Sequence, residues 1–329
     1  MKHRWIHVVV MIAMVGACAA YVALKFDFGK LKFITWTTLL VGLAFLAVSL
    51  LLRTIDSQIV LRSLGEKVRF RDIFAVNLIT QVANISISSS IAVPLRVYLY
   101  KTLLKVDYPI STVVVSLRVL LDGFVTAILG AVALSLIPAA RDALSPIWPL
   151  LVIAAFVAAY MVVVRVDLEK YQDRGFPWIR RMVRFAVRAH RTLKSIPPWI
   201  ILAVSVIQVV NVVLVSFFIL FLLRDLGGRA KAMEVIFANS IANLVSFFSM
   251  VPMGLGTMEA SFIFLIGRLG CPEGIASVAI VIKRVIWSFL PMVAGVPVMI
   301  WKGVSVFSAV PKKQSIEHRA ESIEPRAKN

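Results

Sequence analysis

Long apolar blocks separated by short polar segments dominate the sequence. Each block approaches the ~20 residues that an α-helix needs to cross the hydrocarbon core of a bilayer. Blocks of this length exclude a soluble enzyme and predict an all-α integral membrane protein, a helical bundle with about six full spans. The predicted spans are Val8–Leu24, Phe33–Leu52, Ile110–Ile137, Ile147–Val164, Trp199–Leu223 and Ile275–Trp301.

The first block follows Lys2 and Arg4 and therefore also resembles a signal peptide. A lipoprotein modified at Cys18 is a further alternative. The block is long for the apolar region of a signal peptide, which favours a retained first span.

Two other segments, Ile73–Pro109 and Met233–Pro272, combine apolar stretches with prolines and charged residues. Cytoplasmic loops carry an excess of Lys and Arg. If each segment crossed the membrane once, the nine basic residues of Arg165–Ile196 would lie outside. We therefore interpret both segments as re-entrant helical hairpins, with both termini in the cytoplasm, although two full spans are the alternative.

The two hairpins share an order of features: asparagines, serines, a proline, a charged residue, and then a span that contains an arginine. This order predicts an approximate inverted repeat of residues 33–164 and 199–301, joined by a cationic cytoplasmic amphipathic segment, 165–198. Inverted repeats with broken helices are typical of transporters whose substrate site lies between the repeats. A chance likeness between two proline-broken polar segments is the alternative. The polar tail 302–329 is expected to be disordered.

Composition supports the membrane assignment, because the chain is 60% hydrophobic and only 16% charged. The net charge is +19, and the basic residues lie in short loops, so membrane phosphate is the expected counter-charge and nucleic acid is not. The two cysteines are isolated and the four histidines lie outside the spans. We expect no metal and no cofactor.

The run from Pro252 to Gly256 cannot continue a regular helix. Irregular backbone at bilayer depth is tolerated only against protein or water. A helix that begins after this break would direct its N–H groups, at Gly254 and Gly256, into a cavity where a lipid phosphate could bind. The alternative is a simple kink or close helix packing. The nearby Asn239 and Asn243 favour a polar site.

Ionisable groups inside spans are costly and usually have partners. Arg118 and Asp122 are four residues apart and are predicted to pair along one helix face. Glu259 is the expected partner of Lys283 or Arg284 in the last span. The alternative is that these pairs hold helices together and take no part in substrate passage. Arg96 is a candidate phosphate contact, and Gln208 and Asn211 are expected to form interhelical hydrogen bonds.

Two motifs are similar to those of a known family. The pattern Asn243-x8-Pro252-Met253-Gly254-Leu255-Gly256-x2-Glu259, with Gly270 and Arg284, resembles the second signature of the lysylphosphatidylglycerol synthase transmembrane family. The stretch Leu95–Leu99, followed by Arg118 and Asp122, resembles its first signature. The family includes the flippase half of the multiple peptide resistance factor, which moves aminoacylated phosphatidylglycerol between leaflets. The resemblance implies a flippase-like transmembrane domain over residues 1–301, with two re-entrant repeats.

The sequence departs from the family pattern at three places. Ala92-Val93 replace a Gly-Glu pair, Leu117 replaces a glutamate, and Met253 replaces the first glycine of the break. A cationic headgroup needs carboxylate partners, and two of them are missing from the first repeat. The departures therefore favour a neutral or anionic headgroup.

These observations predict a lipid flippase, without enzymatic activity, that moves a phospholipid or glycolipid headgroup through a polar cleft between two repeats of a multi-pass protein of the cell (inner) membrane. A membrane-embedded lipid-modifying enzyme and an accessory subunit of a lipid or cell-envelope pathway remain alternatives. Expected partners are membrane lipids with anionic or glycosylated headgroups, a lipid-biosynthesis enzyme and a second copy of the chain. The predicted substrate-binding residues are Arg96, Asn239, Asn243, Pro252, Gly254, Gly256, Glu259 and Arg284, supported by Asn84, Arg118, Asp122 and Lys283.

Overall fold

The computed structural model describes residues 20–86, 89–137, 177–249, 251 and 254–303, and within these ranges the ordered elements are all helical. The predicted span Ile147–Val164 and the tail 304–329 lie outside the described residues, as do Pro252, Met253 and most of Val8–Leu24. Ten α-helices lie wholly within these ranges: α1 Trp36–Ser63, α2 Phe70–Ser86, α3 Ser89–Leu103, α4 Tyr108–Ser135, α5 Pro177–Lys194, α6 Pro198–Asp225, α7 Ala232–Phe248, α8 Thr257–Arg268, α9 Glu273–Arg284 and α10 Leu290–Trp301.

Four helices are long and apolar enough to cross a membrane: α1, α4, α6 and the continuous helix Glu273–Trp301, in which a π-helical turn joins α9 to α10. The first three have 28 residues each, or about 42 Å at 1.5 Å per residue, which exceeds the ~30 Å hydrocarbon core. In position, length and apolar composition, these helices agree with four of the six predicted spans.

Helix α1 is longer than its apolar composition predicted. It continues past Leu52 to Ser63, and the chain turns at Gly65 with φ +82°. Ile55, Ile59 and Val60 maintain apolar residues at helical spacing beyond Arg53, so the charged residues do not end the helix. The predicted end of this span at Leu52 is therefore too early, because Arg53 and Asp56 belong to the long helix.

The order of a long helix, two short helices and a long helix occurs twice among the described residues. Helices α1 and α6 have the same length, as do α2 and α7 with 17 residues each. The starts Trp36 and Pro198 are 162 residues apart, and so are Phe70 and Ala232. The second short helix of each set is α3 or α8, and the closing long helix is α4 or Glu273–Trp301.

The corresponding helices α1 and α6 pack against each other in antiparallel orientation. The Ser49 hydroxyl donates to Asn211 Oδ1, and Gln208 Nε2 donates to Asp56 Oδ2, so residue numbers rise along α1 as they fall along α6. Ser49 and Asn211 are themselves 162 residues apart. The predicted interhelical hydrogen bonds of Gln208 and Asn211 are thus present.

The two sets of helices exchange their packing partners. Helix α2 packs against α10, whereas α7 packs against α4, so the first short helix of each set lies on the closing helix of the other. The contact between α2 and α10 is close, because a Cβ on Gly295 would lie 2.5 Å from the carbonyl oxygen of Leu78. Two buried apolar clusters fill the interior, one around Phe218 and Phe262 and one around Leu99 and Tyr100.

Helix α5 packs against the outside of α4. It lies within the segment 165–198, which was predicted to be cationic and amphipathic. Val187 is buried, whereas Arg184 and Arg191 belong to a basic face without a carboxylate on the same helix. Such a helix suits the headgroup region of a membrane.

Candidate functional site

A cavity of about 130 Å³ lies among α1, α2, α3, α4 and α6. Arg118 and Gln208 are each the eleventh residue of a 28-residue helix, about 15 Å from its start, and Arg53 is the eleventh residue from the end of α1. The cavity therefore lies near the middle of the long helices. It is lined by Leu50, Arg53, Asn77, Thr80, Gln81, Arg96, Arg118, Val119, Asp122 and Gln208.

Asp56 is the buried carboxylate beside this cavity, with 1% of its surface exposed. Its Oδ2 lies 3.3 Å from Arg118 Nε and accepts a hydrogen bond from Gln208 Nε2 at 2.9 Å. Its Oδ1 accepts from the Ser57 hydroxyl at 2.9 Å. Three donors from three helices therefore satisfy this carboxylate, as a buried charge requires.

The predicted pairing of Arg118 with Asp122 is wrong. Arg118 instead contacts Asp56, and it also donates to the carbonyl oxygen of Arg53 and to the Ser57 hydroxyl, each at 3.2 Å. Asp122 is exposed and lines the cavity. Helix α1 supplies a closer carboxylate than the next turn of α4 does, and Asp122 remains accessible from the cavity.

Arg96 and Arg53 complete a cluster of three guanidinium groups. Arg96 donates to Asn77 Oδ1, and Asn77 Nδ2 donates to the Thr54 hydroxyl at 3.1 Å. The Nε atom of Arg96 is buried and has no hydrogen-bond partner among the residues described. Arg53 likewise donates no side-chain hydrogen bond within the described part of the chain. Guanidinium groups with free donors are suited to bind a phosphate or carboxylate.

A second charged cluster lies at the break between α7 and α8, although Pro252 and Met253 themselves are outside the described residues. Gly254 and Gly256 have backbone φ values of +61° and +80°. Residues with a Cβ rarely adopt such values. A Cβ on Gly254 would lie 1.6 Å from the Ser246 hydroxyl. The glycines therefore let the chain turn sharply against α7 before α8 begins.

Glu259 links this turn to the last span. Its Oε2 accepts a hydrogen bond from the Gly256 N–H at 2.9 Å, which caps α8, and its Oε1 lies 2.7 Å from Arg284 Nη1. Both side chains are less than 10% exposed. Of the two partners predicted for Glu259, Lys283 and Arg284, the structure shows the pairing with Arg284.

The N–H groups expected to bind a headgroup at this break already have protein acceptors. Gly254 donates to the carbonyl oxygen of Val251 at 2.8 Å, and Gly256 donates to Glu259. The glutamate therefore occupies the N-terminus of α8, where an anion was expected. These two backbone groups therefore have no free N–H for a headgroup.

Lys283 is buried next to this pair, with 7% of its surface exposed. Its ammonium nitrogen lies 3.5 Å from the Met258 sulfur, and Arg284 Nη1 lies 3.6 Å from the same atom. Lys283 has no oxygen acceptor among the described residues. Glu259 thus pairs with Arg284, whereas the acceptor that the described residues offer to the neighbouring lysine is a thioether, which is a weak acceptor.

The predicted asparagines form a separate network. Asn239 Nδ2 donates to the Ser216 hydroxyl at 3.0 Å and so ties α7 to α6. Asn243 Nδ2 donates to the carbonyl oxygen of Asn239 at 2.8 Å. The side chain of Asn84 lies outside the described residues. Within the described ranges, no group of three His, Cys, Asp or Glu residues could hold a metal ion.

Sequence inspection missed two members of the first cluster, Arg53 and Asp56. Both follow the apolar block that was taken for the whole span. The apolar spacing that continues through Ile55 and Ile59 indicates that the helix extends past Leu52. A charged residue inside such a helix in turn indicates a buried partner.

Four long apolar helices with charged clusters at mid-depth define a polytopic helical membrane protein. The family profile described as lysylphosphatidylglycerol synthase TM region matches residues 5–295, and the chain belongs to this family. No curated protein matches the sequence. Membership indicates a membrane protein of lipid or cell-envelope biosynthesis or transport.

Proposed function

We propose that the protein is a lipid flippase of the cell (inner) membrane. It moves a phospholipid or glycolipid headgroup between leaflets through a polar cleft between two repeats. The acyl chains of the lipid stay in the bilayer. The main support is the mid-depth cavity that Arg53, Arg96 and Arg118 line, where Arg118 pairs with the buried carboxylate of Asp56. Such a cavity offers a phosphate the donors that the hydrocarbon core lacks.

The two helix sets are inverted repeats in this proposal. Corresponding helices α1 and α6 run antiparallel. This is the orientation expected when a pseudo-twofold axis in the membrane plane relates two inverted repeats. The short helices α2, α3, α7 and α8 have 12 to 17 residues, or about 18–26 Å, which is less than the core thickness. Each pair therefore enters and returns on one side as a re-entrant hairpin. Both termini and α5 lie in the cytoplasm, as their positive charge favours.

Each charged residue has a defined part in this scheme. Arg96 and Arg118 contact the headgroup, and Asp56 fixes the orientation of Arg118. Glu259 orients Arg284 at the second cluster. Translocation breaks no covalent bond, so the proposal needs neither a catalytic residue nor a cofactor.

Reconstituted vesicles with fluorescent phosphatidylglycerol in both leaflets test the proposal. A reductant that cannot cross the membrane destroys the fluorophores of the outer leaflet, so the remaining signal decays only when lipid moves outward. We expect the protein to accelerate this decay. Arg96→Gln combined with Arg118→Gln should return the rate to that of protein-free vesicles.

Arg268→Gln is the matched control, because Arg268 is exposed on α8 and stacks on Phe264 away from the cavity. It should translocate lipid as the wild type does. A wild-type rate equal to that of empty vesicles, or equal rates for the cavity variant and the control, would contradict the proposal.

A further inference from the structure

A surface groove of about 560 Å³ lies between α5 and the start of α4. Helix α5 contributes Arg188 and Arg191 to its lining, and α4 contributes its first residue, Tyr108. Tyr108 is ten residues before Arg118, or about 15 Å along α4. The surface groove is therefore separate from the arginine-lined cavity, with which it shares no lining residue.

The surface groove lies at one end of the helical bundle. Val106, just before α4, belongs to one buried cluster with Leu61 near the end of α1 and Ile200 near the start of α6. Three 28-residue helices therefore have a terminus at this level. Because each of them is longer than the hydrocarbon core of a bilayer, this end of the bundle lies near the lipid headgroups.

The lining of the surface groove carries more positive than negative side chains. Arg188 and Arg191 are exposed cations, and Asp107 is the carboxylate. Asp107 already pairs with Lys101, whose ammonium nitrogen lies 2.7 Å from its Oδ1. The Arg188 side chain forms no ion pair or hydrogen bond within the part of the chain that the structure describes. Its guanidinium group can therefore bind a phosphate from outside the protein.

The start of α4 adds a second attraction for an anion. Its cap residue, Asp107, makes no side-chain capping hydrogen bond. The positive end of the helix dipole consequently faces the surface groove together with Arg188.

Aromatic side chains distinguish a lipid from a soluble anion as the occupant. Phe185 of α5 is 40% exposed and Tyr108 is 44% exposed, and both line the surface groove. A soluble phosphate would use only the charged part of this lining. A phospholipid also places its glycerol backbone and upper acyl chains against the aromatic rings, as is usual at the headgroup level.

We propose that the surface groove binds an anionic phospholipid, as a second lipid site apart from the cavity. The phosphate contacts Arg188 at the start of α4, and the apolar part of the lipid packs on Phe185 and Tyr108. Basic pockets at the membrane surface recognise anionic headgroups in this way. The proposal depends on the membrane location of the protein and not on translocation.

Fluorescence quenching in phosphatidylcholine vesicles tests the proposal on the full-length chain. In a Cys18→Ser and Cys271→Ser background, a fluorophore is attached to Ser195→Cys, because Ser195 is exposed and its N–H donates to the carbonyl oxygen of Arg191 one turn earlier. A small fraction of either phosphatidylglycerol or phosphatidylcholine carries a nitroxide quencher near the top of one acyl chain. We expect an apparent affinity at least about fivefold higher for phosphatidylglycerol, the factor that one basic residue near the surface provides.

Substitution of Arg188 tests whether the surface groove causes this preference. Arg188→Gln should lower it about fivefold, whereas Arg188→Lys keeps the charge and should retain most of it. Arg62→Gln is the matched control, because it removes the same charge from an exposed arginine near the end of α1 and outside the surface groove. It should keep the preference. Equal quenching by both lipids in the wild type, or equal losses in Arg188→Gln and Arg62→Gln, would overturn the proposal.

Two further measurements separate this site from other sources of the signal. Soluble glycerol phosphate should not relieve the quenching, and relief by it would overturn the assignment to a lipid. The cavity variant Arg96→Gln with Arg118→Gln should lose translocation but keep the preference at Ser195→Cys. Loss of the preference in that variant would contradict a separate site, whereas failure of translocation alone leaves the surface groove unaffected.

Discussion

Asn77 and Asn239 make the same hydrogen bond in two successive helix sets. Each is the eighth residue of a 17-residue helix, and each donates its side-chain N–H to a hydroxyl 23 residues earlier, Thr54 at 3.1 Å and Ser216 at 3.0 Å. The bond ties the first short helix to the preceding long helix in both sets. The sets then differ, because Asn77 also accepts from Arg96 at the cavity, whereas Asn239 is contacted by Asn243.

Replacement of Asp56 should strongly destabilise the protein. Asp56→Leu leaves Arg118 without its buried carboxylate and should reduce the free energy of unfolding by about 3–5 kcal/mol. Asp56→Asn retains an oxygen acceptor and should lose less. Unfolding in mixed detergent micelles measures these differences.

Asp72→Leu is the control for that series, because the pair of Asp72 with Lys302 is partly exposed. This substitution should lower the free energy of unfolding by no more than about 1 kcal/mol. Equal losses for Asp56→Leu and Asp72→Leu would show that Asp56 is not a critical buried partner.

Glu259 has two separable roles, which a pair of substitutions distinguishes. Glu259→Gln keeps an oxygen that can accept from the Gly256 N–H but removes the charge facing Arg284. Glu259→Ala removes both interactions and should be less stable than Glu259→Gln by about 1 kcal/mol, the usual value of a helix cap.

A double-mutant cycle of Glu259→Gln and Arg284→Gln then isolates the ion pair. We expect a coupling energy of about 1–3 kcal/mol, since each single change leaves one buried charge unmatched. Additivity within about 0.5 kcal/mol would mean that the contact does not stabilise the fold.

Cys271 should resist alkylation while the protein is folded. Burial raises the pKa of its thiol to about 11, and Glu234 contributes further. Only the thiolate reacts, so at pH 8 about 0.1% is reactive, against roughly a quarter for an unperturbed thiol of pKa 8.5. In a Cys18→Ser background, the iodoacetamide rate should rise about tenfold per pH unit between pH 8 and 10. A rate that levels off near pH 9 would contradict the raised pKa.

Apolar composition was sufficient to predict the four long apolar helices, because each contains a long, mainly apolar block with few charged residues. It placed the end of α1 too early, since charged residues lower local hydropathy even where a tertiary partner satisfies them. Gln208, which donates a hydrogen bond to Asp56, is 152 residues away from it in the sequence. No local pattern contains that information.

Of the two predicted ion pairs, one is present and the other is not, and the difference lies in how many carboxylates could reach each arginine. Glu259 and Arg284 were matched correctly, because few carboxylates in the second repeat could serve an intramembrane arginine. Arg118 and Asp122 were matched by their spacing on one helix, but packing brings Asp56 of α1 closer. Spacing along one helix predicts a contact only where no neighbouring helix offers a better partner.

In the proposed function, the arginine-lined cavity is an aqueous cleft at bilayer depth. Asp122 and Leu120 are two residues apart on α4, and both are exposed, but only Asp122 lines the cavity. In a Cys18→Ser and Cys271→Ser background, a membrane-impermeant thiol reagent applied to both sides of the bilayer should label Asp122→Cys rapidly and leave Leu120→Cys, facing acyl chains, unlabelled. An unreactive cysteine at position 122, or equal labelling of both positions, would contradict the account.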